Sequence, residues 1–231
     1  MHPTPHRETR HAPDSGLPVH RHAGAYAALV SDGAHVEIGL DGPRRCEPGL
    51  IVVHPALQAH GNRFGRHGAR VLNAPLVGDV TPGVFRAPSL IEARAVFVRA
   101  PERVGLLLAS CTRVDDAGID LPNWQREFVE RLRDDALSIG DITAALDIAP
   151  AHASRAIAAA YGFSPQRLRR EIRWQRALVL LRSERPLAEV AIEAGFADQP
   201  HFTRTCREET GLAPTELRRR LNCVQDRPAM A

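Results

Sequence analysis

The chain has no lysine. All 30 of its Lys-plus-Arg total are arginine, set against 27 acidic residues for a net charge of +3 over 231 residues. A balance this close excludes a strongly basic or acidic protein and does not by itself announce a nucleic acid, a membrane surface or an acidic partner. The arginine-only bias fits codon usage better than selection for phosphate-binding forks. Long apolar runs are also missing: none approaches the roughly 18 residues of a membrane span. The opening MHPTPHRETRHAPDSG lacks the apolar stretch and small-residue cleavage site of a secretory signal, so residues 1–15 read as a loose tail and the protein is expected to be cytoplasmic. Cys46, Cys111, Cys206 and Cys223 lie far apart without C-x-x-C spacing, which excludes a zinc ribbon or redox pair and leaves reduced thiols. No G-x-S-x-G elbow, P-loop or Rossmann fingerprint is present, so nothing here points independently to an enzyme.

What is present divides in two. From Leu17 to about Val80 the β-prone runs AYAALV, HVEIGL, LIVVH and ARVLN alternate with the turn signals SDG, DGP and EPG, the pattern of an all-β sandwich or barrel. From Ser89 to Ser110 the period becomes helical, broken near Pro101, and residues 112–122 have the Asp, Gly and Pro content of a linker. From 123 to 223 apolar residues recur at helical spacing, and Gly and Pro cut the sequence into short helices; residues 224–231 read as a tail. The expected fold is therefore α+β in two domains: a β-barrel with a short helical segment (16–111) and an all-α domain (123–223).

The all-α domain carries one theme twice. In RPLAEVAIEAGFADQPHFTRTCREETGLAPTELRR, Pro186 suits a first helical turn, and Leu187, Val190, Ala191 and Ala194 form the buried face of a helix ending at Gly195. Asp198 is placed to cap a second helix that stops at Gly211. Phe202, Thr205, Cys206 and Glu209 fall on one side of that helix, and Gln199, Thr203, Arg204 and Arg207 on the other, with donors suited to base edges and phosphates. Two short helices joined by a tight Gly turn make a helix-turn-helix. The earlier copy is LSIGDITAALDIAPAHASRAIAAAYGFSPQRLRR. Ser138 with Asp141 forms a capping-box pattern, Asp147 occupies the turn, and Ala153 and Ile157 face inward, leaving His152, Ser154 and Arg155 toward solvent. Ser164 and Pro165 open a longer helix, to about Arg182, that joins the two units.

The stretch from about Leu137 to Arg220, and above all P-L-A-E-V-A-x-x-A-G-F-x-D-Q-x-H-F-T-R followed by G-x-x-P, resembles the paired helix-turn-helix domain of the AraC/XylS family. The resemblance implies two recognition helices in successive major-groove segments about 34 Å apart. By position, Ala151, Ser154 and Arg155 would face DNA from the first, and Gln199, Pro200, Thr203 and Arg204 from the second. Ala149 stands where the family favours a Ser cap, a loss of about 1 kcal/mol.

Nine of the eleven histidines precede Gly68. His20-x-His22-x3-Tyr26-x6-Gly33 and Gly49-x5-Pro55-x-Leu57-x2-His60 resemble the two signature segments of the cupin barrel, with Tyr26 in the glutamate position and Leu57 where glycine is usual. The resemblance places His20, His22, Tyr26 and His60 inside the barrel. Three imidazoles could hold a divalent metal such as Zn or Fe, but the loss of the anionic ligand favours a pocket for a small organic effector, and no cofactor is expected. His2, His6 and His11 read as solvated tail residues.

Together these features point to a sequence-specific, helix-turn-helix transcription regulator of activator type, not an enzyme, gated by a small-molecule effector. Its expected partners are double-stranded DNA, RNA polymerase and a second copy of itself, with no membrane. The apolar positions Leu90, Val96, Val104, Leu106 and Leu107 would serve either a homodimer contact or packing onto their own barrel. The rival readings are a metal-dependent cupin oxygenase or isomerase with an accessory helical domain, and a constitutive DNA binder whose barrel has lost its ligand.

Overall fold

The computed structural model describes residues 7–78, 80–114 and 118–223. They divide into two compact units, one from the described parts of Met1–Ile38 and Pro43–Ile119, the other from Gly39–Gly42 and Asp120–Cys223.

The first unit is an eight-stranded sheet: β1 (Glu8–His11), β2 (Gly16–Arg21), β3 (Tyr26–Gly39), β4 (Arg44–Cys46), β5 (Leu50–His54), β6 (Ala59–Pro75), β7 (Gly83–Arg86) and β8 (Thr112–Arg113). The strand order is β1-β6-β3-β5-β7-β8, with β2 also on β6 and β4 on β3, and the path does not close on itself. Alternating Val, Ile and Leu place Ala27, Leu29, Ile51, Val53, Leu72 and Ala74 in one fully buried layer. Against that layer pack α1 (Leu90–Arg99), a 3-10 turn (Pro101–Arg103) and α2 (Val104–Ala109). Ser89 caps α1 by accepting the Glu92 N–H. Leu90, Val96, Val104 and Leu107 belong to this core, whereas Leu106 is exposed. The helical segment therefore uses most of its apolar face on its own sheet.

Three local readings are corrected by pairings that lie far apart in sequence. The loose tail is interrupted by β1, which pairs antiparallel with β6 from Glu8↔Leu72 to His11↔Ala69; His11 stacks on Phe64 with ring centroids 4.0 Å apart and is not a solvated tail residue. His2 and His6 lie outside the described residues. The SDG signal is not a turn between strands, because β3 runs through it as a single strand. Gly33 has φ +67°, and a Cβ there would strike the Gly68 carbonyl of β6, so glycine lets two long strands bend past each other without ending either. The expected linker begins as β8, with Phe85↔Arg113 paired to β7.

The second unit is helical: α3 (Asn123–Arg131), α4 (Ile139–Ala145), α5 (Pro150–Tyr161), α6 (Pro165–Leu180), α7 (Leu187–Glu193), α8 (Gln199–Thr210) and α9 (Pro214–Cys223). Each boundary has a local cause. Ser138 and Asp141 form a complete capping box at α4, Ser164 caps α6, and Asp198 caps α8 through the His201 N–H at 2.6 Å. Gly162 and Gly211 end α5 and α8 in the left-handed conformation. Pro186 sits at the cap of α7, one position before the first turn.

Between α7 and α8, Gly195 has φ +92°, and a Cβ there would collide with the Asp135 carboxylate. Asp135 cannot yield freely, because it accepts from Arg173 Nε at 2.8 Å and Arg176 Nη1 at 2.7 Å. Gly195→Ala should therefore cost about 2 kcal/mol, combining the left-handed backbone penalty with displacement of Asp135. A denaturation midpoint equal to the wild type's would show that the turn relaxes without cost.

Candidate nucleic-acid interface and effector pocket

In the second unit, α4 and α5 form one helix pair across a turn in which Asp147 has φ +52°, and α7 and α8 form another across Gly195. The long α6 joins them and contacts both α5 and α7. Ala153 and Ile157 of α5, and Phe202, Thr205 and Cys206 of α8, are buried and fix the rotation of each second helix. That rotation leaves His152, Ser154 and Arg155 exposed on α5, and Gln199, Pro200, Arg204 and Arg207 exposed on α8, with Thr203 half-buried. His152 also lies against Trp124, with ring centroids 5.5 Å apart, so its ring is partly committed to α3.

The arginines of this unit fall into two groups. Arg170 pairs with Glu208 and Glu209, Arg173 and Arg176 with Asp135, and Arg219 and Arg220 with Glu216. By contrast, Arg155, Arg204 and Arg207 make no side-chain hydrogen bond or ion pair among the described residues. Their charge is uncompensated on the two second helices, where the donors for phosphates and base edges would be needed.

Residues 142–220 match a family model described as a helix-turn-helix domain. The C-terminal unit is an AraC-type double helix-turn-helix domain. This domain shares 25% identity with the C-terminal domain of AraT, a response regulator from Geobacillus stearothermophilus (44% of this chain, 88% of that one, TM-score 0.41). Over a longer span the chain is similar to ToxT from Vibrio cholerae O395 at 12% identity (93% of this chain, 96% of that one, TM-score 0.42). Its sheet region is similar to salicylate 1,2-dioxygenase from Pseudoaminobacter salicylatoxidans at 19% identity (29% of this chain, 20% of that one, TM-score 0.27). No curated protein matches the sequence. Among the described residues, no helix is long and apolar enough to cross a membrane.

The first unit holds the other candidate site. Antiparallel register sets His20 of β2 opposite His60 of β6, and Tyr26 of β3 opposite His54 of β5. His20 Nε2 lies 3.1 Å from His22 Nε2, and the Tyr26 hydroxyl lies 3.0 Å from His60 Nε2. The four residues singled out in the sequence thus converge at one cavity of about 120 Å³. Leu57, in the glycine position of the signature, has φ +65°: the loop keeps the left-handed turn while its side chain is buried. It is held by its N–H donating to the His22 carbonyl at 2.9 Å and its carbonyl accepting from Arg21 at 3.1 Å.

Sequence reasoning missed half of this cavity. His35, Glu37, His54, Asn62 and Asn73 also line it. Glu37 accepts from or pairs with His54 Nε2 at 3.2 Å and lies 3.7 Å from Arg44 Nε. Burial works against the Glu37 carboxylate, but the charge and hydrogen bond of His54, with His60 and Arg44, outweigh it and hold its pKa below the usual carboxylate range. Burial pushes His60 well down and His35 down to about 4, so both rings are neutral near pH 7; it also pushes the Tyr26 hydroxyl up, helped by Glu37. The three nitrogens of His20, His22 and His60 lie within 4.8 Å of one another and are enough in number for a divalent cation. They form a set without an anion, and Tyr26 already engages the Nε2 of His60.

Proposed function

We propose that this protein is a sequence-specific DNA-binding regulator of transcription, of activator type, whose sheet-rich unit takes a small organic effector. The observation that carries the DNA-binding reading is the pair of second helices, each fixed by buried residues and each presenting unneutralised arginine beside Ser154, Gln199 or Thr203. Full-length protein should shift DNA selected from a random pool. Its affinity should fall on the order of a hundredfold between 50 and 200 mM salt as counterions are released from about four phosphate contacts. Absence of any shift at low salt, with folded protein, would sink the reading.

The second helix-turn-helix should set sequence preference more than the first, because α8 offers Gln199, Thr203 and Arg204 where α5 offers Ala151 and Ser154. Arg204→Ala should weaken binding to selected DNA by about 1–3 kcal/mol and relax one base position. An equal loss on every sequence would instead assign Arg204 to a phosphate.

For the effector, Tyr26, His22 and His60 supply hydrogen-bonding groups and flat ring faces in a small cavity, a combination suited to a compact polar organic molecule. A thermal-shift screen of small organic molecules tests this, with Tyr26→Phe expected to abolish the shift produced by a hit. RNA polymerase is the partner expected of an activator. A homodimer contact would draw on Ile91, Val98 and Leu106, which stand exposed on α1 and α2, and sedimentation of the full chain tests it.

A further inference from the structure

We propose that His35, Glu37 and Cys46 form a separate metal site that takes a single borderline-soft divalent cation of the zinc class. The site follows from the short β3–β4 pairing. Cys46 is directly opposite His35, and Arg44 directly opposite Glu37. Residues i and i+2 of a strand share a face with their cross-strand partners, so the pairing gathers an imidazole, a carboxylate and a thiol at one place. All three are buried, Cys46 completely, and their donor atoms lie within 4.8 Å of one another. Tetrahedral zinc, with bonds of about 2.0–2.3 Å, holds its donors roughly 3.3–3.7 Å apart. Side-chain rotation of about 1 Å closes the set.

The donor types decide the cation. A mixed nitrogen, oxygen and sulfur set suits zinc and disfavours calcium or magnesium, which take oxygen shells. The histidine cluster at His20, His22 and His60 has no anion, whereas this one offers a carboxylate and, on binding, a thiolate. The bland alternative, a buried His54–Glu37–Arg44 ion pair, accounts for Glu37 alone. It leaves the buried Nδ1 of His35 without a hydrogen-bond partner among the described residues. It also leaves the Cys46 thiol with only a long contact, 4.0 Å, to the Arg44 carbonyl. A carboxylate has lone pairs to spare, so His54 can keep its bond to Glu37 and orient it toward the cation from behind. Binding is written as Cys46–SH plus M²⁺ giving Cys46–S–M⁺ and a proton released to solvent, with no change of oxidation state.

Cobalt(II), titrated into reduced, chelator-treated full-length protein, is the probe. The expected result is a thiolate-to-cobalt charge-transfer band that saturates at one equivalent and is displaced by zinc. The band should persist in a His20→Ala, His60→Ala double variant, vanish in Cys46→Ser, and require at least tenfold more cobalt in His35→Gln, with circular dichroism confirming the fold of each. On the wild type alone, X-ray absorption at the zinc edge should report one sulfur among the ligands, which keeps the test decisive if Cys46→Ser does not fold. No thiolate band in folded wild type, a band that survives in folded Cys46→Ser, or a zinc shell of nitrogen and oxygen alone would overturn the site. None of these readouts involves DNA, so failure here leaves the regulator reading standing.

Discussion

Trp174→Ala is expected to destabilise the helix-turn-helix domain by about 3–5 kcal/mol, the range for removing a large aromatic from a core that cannot collapse around the cavity. Trp174 is 1% exposed and sits on α6, the helix that contacts both α5 and α7. Leu168, Ile172, Ala177, Leu178 and Leu181, the other buried apolar residues along this helix and its cap, belong to the layer that fixes both helix pairs. Loss of the indole therefore loosens the two pairs together. Domains have total stabilities of about 5–15 kcal/mol, so a large part of this one would be lost and DNA binding with it. Trp124, only half-buried at the start of α3, should cost much less when truncated and serves as the control. Urea denaturation followed by far-ultraviolet circular dichroism measures both. A loss below about 1 kcal/mol at Trp174 would mean that α6 repacks and does not act as the common support.

The helical half was legible because its signals are local. Ser138, Ser164, Asp198 and Gly211 each act within three or four residues of the boundary they set, and all four do so in the structure. The sheet half depends on partners far away in sequence, which no window reveals. Glu8 needs Leu72, and Arg113 needs Phe85, before either reads as strand. Gly33 looks like a turn until Gly68 is seen across from it. The same limit governed the pocket. Spacing alone located His20, His22, Tyr26 and His60, because a family resemblance carried them. His54 and Glu37 were concealed inside LIVVH and HVEIGL, where an apolar run draws the eye to strand period. The available signal was the alternation His35-x-Glu37, two polar groups on one face of a strand otherwise rich in apolar residues. It gains meaning only when register puts Tyr26 against His54 and Cys46 against His35.

The same buried imidazoles should make the sheet unit acid-sensitive in chelator-treated protein. His35 is 8% exposed, and burial lowers its pKa from 6.5 to about 4; Glu37 opposes the change, and His11 and His54 add to it. The folded-state value lies below the unfolded one, so the unfolded chain binds the proton first. The associated stability is fully present above about pH 6.5 and is lost as pH falls toward about 4. At roughly 1.36 kcal/mol per pH unit, His35 alone accounts for a loss on the order of 3 kcal/mol across that window. His60 is shifted in the same direction, again mainly by burial, and adds to the loss. The Glu37 carboxylate, held ionised by His54 and Arg44, contributes a further loss below its ordinary pKa as it is forced to protonate. The expected result is a sheet unit that unfolds in mild acid, with a stability slope above pH 4 steeper than one proton. His35→Gln should reduce that slope by one proton between pH 6.5 and 4. Urea melts at half-unit pH intervals, read by circular dichroism, give the slope directly; a flat profile from pH 7 to 4 would mean that these imidazoles take up protons in place, with water reaching the cavity.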